Sequence, residues 1–318
     1  MLRGGAPVHR RTGAWEADVN LRCQSCGAQL VVAPELKTTV CPYCAAPSVV
    51  ERPPSEDSPT PLFALGFCLT HRVAAERVQA WLRSRHPWTP SGLKRAPLQD
   101  VRGVYVPAWL YSARAESSYS ASIGENYTET ETYTTTENGR TVTKTRQVQK
   151  TEWRPLSGQH AQYVPDVLVT ASRGLPNAEL AALEPFDLRD LARFTPALVA
   201  GWVAEEPSLG REACLAQARE EARALVGERL EAFLPGDSHR DLRHQTRLEE
   251  EALELCLVPV WVLAVRYAPG TPPLRVVVNG QSGVVYGRVP VSWVKVALTV
   301  LAVVALGVGL YFGLRGRS

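Results

Sequence analysis

The chain has 318 residues, a formal charge of +3 and a hydrophobic fraction of 45% with 21% charged residues. That balance excludes wholesale disorder, and it excludes a nucleic-acid binder that acts through the charge of the whole protein. Seven cysteines over this length are too sparse for a disulfide scaffold, and the length is right for two domains.

Residues 1–22 carry Arg3, Arg10 and Arg11 with no apolar core behind them, so they read as a disordered basic arm and not as a secretory leader. Next come Cys23-Gln-Ser-Cys26-Gly27 and, after a gap, Cys41-Pro-Tyr-Cys44. Two CxxC pairs at this separation predict a zinc ribbon over 23–50 with Cys23, Cys26, Cys41 and Cys44 as ligands. Short strands are expected at 30–32 and 38–40, joined by a turn near Pro34. Four soft thiolates leave no open coordination position, so the expected cofactor is a structural Zn2+. Iron in a rubredoxin-like site and two redox-active pairs are the competing uses of the same spacing. Cys68, Cys214 and Cys256 have no such partner and are expected to be small buried residues.

Residues 51–61 form a proline-rich linker, long enough to hold the ribbon about 20–35 Å from the body of the chain. The body, 62–290, reads as α+β, a duplicated strand–helix–strand arrangement with mostly antiparallel sheets. Gly66-Phe67 aligns with Gly201-Trp202, and Val106-Pro107-Ala108-Trp109 with Val258-Pro259-Val260-Trp261; chance likeness of strand-like text is the alternative. Pro107 and Pro259 are expected at strand starts, and Trp109 and Trp261 as core anchors. Within an insertion at 119–152, residues 126–151 are Thr-rich and alternate strictly, and Asn138-Gly139 predicts a two-residue hairpin turn, against the alternative of a disordered polar loop. Its register opposes Glu131 to Arg146 and Tyr133 to Lys144. A further hairpin is expected around Asn279-Gly-Gln-Ser-Gly283.

From 296 to 314 the sequence VALTVLAVVALGVGLYFGL carries no charge. A helix of that length reaches roughly 28 Å, so a transmembrane span is expected over 294–314, with a buried core helix as the alternative. Trp293 and Lys295 would mark one membrane edge, Arg315 and Arg317 the other, and Gly309 with Gly313 could pair two copies. Reduced thiols and the lack of a leader orient the bulk of the chain to the cytoplasmic side of the inner membrane. The sequence has no GxxxxGK[ST], HExxH or GxSxG string, and His239 and His244 have no evident catalytic partner, so no catalytic residue is predicted.

The segments WRPLSG (153–158), VPDVLVTASRGLP (164–176), LEPFDLRDLARFTPALVAGW (183–202), LVPVWVLAVRY (257–267) and VNGQSGVVYGRVPVSW (278–293) resemble a family of bacterial membrane proteins with a TFIIB-type zinc ribbon. Members are often labelled as primosomal replication-restart helicases, a label the missing P-loop does not support here. Where the family pattern is commonly NGQTG, this chain has Ser282. The resemblance carries the metal positions onto Cys23, Cys26, Cys41 and Cys44, and implies no catalytic residue. It implies a membrane-anchored, non-enzymatic adaptor that recruits a cytosolic protein, with phage-shock-type envelope-stress proteins as candidate partners. The alternative is a membrane-tethered nucleic-acid-binding ribbon. Residues 22–52 hold Arg22, Lys37 and Arg52 against Glu35 and Glu51, too little charge for strong phosphate binding.

Overall fold

The structure, a computed structural model, describes residues 19–32, 40–47, 49–51, 58–98, 101–137, 140–268, 271 and 273–315. In chain order these form β1 (Val19–Cys23), β2 (Gln29–Val32), β3 (Val49–Glu51), β4 (Phe63–Ala64), α1 (His71–Arg83), α2 (Ser91–Arg95), β5 (Arg102–Glu137) and β6 (Arg140–Thr170). There follow α3 (Asn177–Ala181), β7 (Ala192–Arg193), α4 (Pro196–Val199), β8 (Val203–Glu205), α5 (Arg211–Phe233), β9 (Ser238–Val265), β10 (Leu274–Asn279), β11 (Val285–Gly287) and α6 (Trp293–Arg315). Residues 110–167 and 215–253 make one compact unit; the other described residues make a second.

This arrangement corrects the expected fold class. Among the described residues, eleven strands join one mixed sheet in the order β11-β10-β9-β5-β8-β2-β1-β3, with β4 paired to β7 and β9, and β6 to β5. β4 runs parallel to β9, with Phe63 opposite Cys256. β8 runs parallel to β5, with Val104 opposite Val203. The first strand of each supposed repeat therefore pairs with the last strand of the other, so neither half is a separate antiparallel sheet. The reason lies in burial. β4 and β8 are too short to hold a sheet, whereas residues 255–263 of β9 are buried without a break and need neighbours on both sides. Gly66-Phe67 and Gly201-Trp202, aligned as equivalents, instead meet, and the Phe67 and Trp202 rings stack at 4.2 Å with 7° between their planes.

Pro107 and Pro259 lie well inside β5 and β9, not at strand starts. Their carbonyls accept the N–H of Ala171 and of Gly280, the residues just past the ends of β6 and β10, so each missing N–H falls where a ladder stops. The helices follow their apolar spacing. α1 buries Ala74, Val78 and Leu82, and is capped by Thr70 Oγ1 accepting from Val73 N. α5 buries Cys214, Ala218, Ala222, Val226 and Leu230 along one stripe. Cys214 and Cys256 are buried as expected, but Cys68 is exposed.

β5 and β6 carry the Thr-rich segment on two paired strands that continue from the body. Arg146 reaches Glu131 at 3.0 Å, as the expected register requires. The Asn138-Gly139 turn, the turn near Pro34, residues 38 and 39 of the strand expected at 38–40, residues 1–18 of the arm and residues 52–57 of the linker lie outside the described residues; Val40 is described and is not in a strand. Residues 19–22, assigned to the arm, open β1. At the second hairpin Asn279 is fully buried. Its Oδ1 accepts from Gln281 N and Ser282 N, and its Nδ2 donates to the carbonyls of Leu183 and Pro185. The NGQSG string thus has a structural explanation in that one side chain.

The expected transmembrane span, and with it the single-pass inner-membrane localisation, is corrected. Among the described residues no helix is long and apolar enough to cross a membrane. The helix itself forms, as α6, but the side chains of 310–314 lie outside the described residues. Lys295, expected to snorkel at a membrane edge, donates to the carbonyls of Thr89 (2.7 Å) and Pro87 (3.3 Å), and Trp88 Nε1 donates to Thr299 Oγ1. The start of α6 is tied to protein.

Candidate metal centre

The ribbon is built from two knuckles of the same geometry. In the first, Cys23 O accepts from Gly27 N and Cys23 N donates to Ala28 O, both at 3.0 Å. In the second, Cys41 O accepts from Ala45 N at 2.9 Å and Cys41 N donates to Ala46 O at 3.0 Å. The residue after each pair turns left-handed: Gly27 at φ +78°, and Ala45 at φ +56°, where a side chain makes the turn more costly. β1 pairs with β2 and β3, which holds the first knuckle at the strand ends.

These turns bring the four predicted ligands together. The Sγ atoms of Cys23, Cys26, Cys41 and Cys44 all lie within 4.8 Å of one another. Cys23 to Cys44 and Cys26 to Cys41 are each 3.6 Å apart. Thiolates around a tetrahedral ion with ~2.3 Å metal–sulfur bonds lie about 3.8 Å apart, so the set could hold a metal ion. As bare thiols Cys26, Cys41 and Cys44 ionise unequally. The hydrogen bond between Cys26 and Cys41 pulls Cys26 down to about 5 and pushes Cys41 up; burial pushes Cys44 up to about 11. A bound cation removes this inequality by favouring the thiolate at every position.

Behind the second knuckle lies a contact that the sequence did not reveal. Tyr43 is fully buried, and its hydroxyl donates to Glu205 Oε2 at 2.7 Å. Ser172 Oγ donates to the same oxygen at 2.6 Å, and Glu205 Oε1 has no partner among the described residues. Gly174 makes room: a Cβ there would come within 2.8 Å of the Tyr43 ring. The ribbon is also joined through the backbone. β2 pairs antiparallel with β8, Leu30 opposite Glu205, and Glu206 N donates to Gln29 O. The cysteine cluster is therefore joined to the body sheet through β2 and β8. Tyr43 and Glu205 are 162 positions apart, and no local pattern marks either one.

Burial pushes the Glu205 carboxyl up to about 7, while the Ser172 and Tyr43 hydrogen bonds pull the other way. A carboxyl raised from its ordinary value stabilises the fold most below that value, near 4.5, and the contribution fades as pH rises through about 7. The span is worth about 3 kcal/mol. Wild-type stability minus that of Glu205→Gln should therefore fall by an amount of this order between pH 5 and 8 at fixed metal load. A flat difference across that window would show that Glu205 does not titrate there.

No family model and no solved structure matches the chain. A protein of Bacillus subtilis (strain 168), described as the uncharacterized protein YdjG, is 23% identical to it over 239 residues. The match covers 74% of this chain and 66% of that protein, so the chain spans about two thirds of the length of the curated relative it matches.

Proposed function

We propose that the chain is a non-enzymatic adaptor whose ribbon, shaped by a structural zinc ion on Cys23, Cys26, Cys41 and Cys44, presents a binding surface to a protein partner. The observation that carries this reading is the closed donor set: four thiols within 4.8 Å of one another. Four soft donors fill a tetrahedral ion, leave no position for substrate or water, and favour zinc over harder cations. Such an ion supports a surface and performs no step of its own. The resemblance to zinc-ribbon adaptors points the same way.

The surface we assign is β3. It ends the sheet order, and Val50 is 42% exposed. Strand addition at such an end gives affinity through the backbone and specificity through alternate side chains. Metal analysis of the full chain should find one zinc ion. Crosslinked pull-downs with the wild type, Val50→Glu and an Arg72→Gln surface control should lose the same specific partner only with Val50→Glu. Iron in place of zinc, or equal capture by all three, would remove this reading. Tight, salt-sensitive binding of DNA would replace it with the nucleic-acid alternative.

A further inference from the structure

The unit formed by residues 110–167 and 215–253 holds a cavity of about 720 Å³, walled by β5, β6, β9 and α5. That volume lies within the range of small-molecule sites. Its chemistry is lopsided in charge. Both lining carboxylates are already satisfied. Glu251 accepts from Arg219 Nε at 2.6 Å and from a terminal Arg219 nitrogen at 2.8 Å, and also takes the Tyr111 hydroxyl at 2.8 Å. Glu116 is paired with Arg114.

The lining cations are not matched in this way. Arg223 makes no hydrogen bond or ion pair with the described residues, and its charge acts on Glu251 and Tyr111 only through space. It stands one helical turn beyond Arg219 on α5, and two like charges at that spacing repel. Arg247, on β9, pairs with Glu249 at 3.4 Å, from a largely solvent-facing side chain to a half-buried one. Hydroxyls line the wall between them: Ser117 Oγ and Thr246 Oγ1 bond each other at 2.8 Å, and Ser117 is buried. The His160 ring lines the same cavity.

We propose that this cavity binds a small organic phosphate. The phosphate would take the guanidinium forks of Arg223 and Arg247, whose planar donors match its oxygens in pairs. The hydroxyl-bearing part would face Ser117 and Thr246. The Arg223 guanidinium, without a hydrogen-bonding partner among the described residues, and the exposed guanidinium of Arg247 are the features that a neutral ligand would leave unexplained. This inference does not depend on the metal centre or on the adaptor reading.

The test is calorimetric titration of the full chain with inorganic pyrophosphate, glucose 6-phosphate and glucose at constant ionic strength. Both phosphate-bearing probes should bind, and glucose should not. Arg223→Gln combined with Arg247→Gln, both at exposed positions, should weaken the phosphate probes by about tenfold or more. Arg72→Gln, a solvent-facing arginine in the other unit, should leave them unchanged. Absence of phosphate binding, equal loss in the Arg72→Gln control, or glucose binding that survives the double substitution would each overturn the proposal.

Discussion

Replacing Cys41 by serine, or chelating the ion we propose on the four thiols, is expected to destabilise the whole unit that holds them, not the ribbon alone. Metal-binding free energies in small zinc modules are on the order of 10–16 kcal/mol, and much of that is folding free energy. Here the ribbon also supplies Leu21, Leu30, Val31 and Val32 to the core, and Tyr43 to the buried Glu205. Without the ion the knuckles lose the force that closes them, and β8 loses β2, its neighbour on one side. The measurement is amide exchange with and without a chelator. Protection should fall at Leu30 and Val31 of β2 and, with them, at Ala204 of β8. A melting transition lowered by ten degrees or so would accompany it. Loss of protection confined to residues 23–50, with Ala204 unchanged, would show an independent ribbon and sink this expectation.

What could be read from the sequence was what is local. The two CxxC pairs declare the centre because a knuckle needs its ligands three apart, and the fold then has only to bring two knuckles together. The NGQSG turn is local too, although its reason, Asn279 bonding the carbonyls of Leu183 and Pro185, is not. The sheet order was not legible. β4 has two residues and β8 three, too few for a period-two pattern, and parallel partners lie far apart in sequence. The halves were aligned on Gly66-Phe67 and Gly201-Trp202 because these residues look alike; they look alike because both feed one aromatic cluster. At α6 the apolar text announced a helix, yet the contacts of Lys295 and Thr299 with residues 87–89 come from the fold and leave no mark in the text. The cavity leaves no mark in the sequence because its arginines are spread over α5 and β9.

Trp261→Ala is expected to cost about 3–5 kcal/mol, and Trp261→Phe to cost more than Trp109→Phe. The two tryptophans look equivalent in sequence and are both buried, at 5% and 4% exposure. They differ in how the indole N–H is treated. Trp261 Nε1 donates to the Leu69 carbonyl at 3.2 Å, just before the Thr70 cap of α1, and its ring packs 4.8 Å from Phe67 and 5.7 Å from Trp202. Phenylalanine at 261 would lose part of that packing and leave the Leu69 carbonyl without its donor. Trp109 Nε1 has no partner among the described residues, and only the Arg211 guanidinium, 5.8 Å away over its ring, offers a polar contact. A buried donor left unpaired costs about 1–3 kcal/mol, so phenylalanine at 109 would relieve one penalty while losing some contact area. The two effects oppose, and the net change should stay within about 1 kcal/mol. Urea denaturation of Trp109→Phe, Trp261→Phe and the wild type measures the difference directly. Equal losses at the two positions would mean that ring volume alone sets the cost and that the Leu69 hydrogen bond contributes nothing.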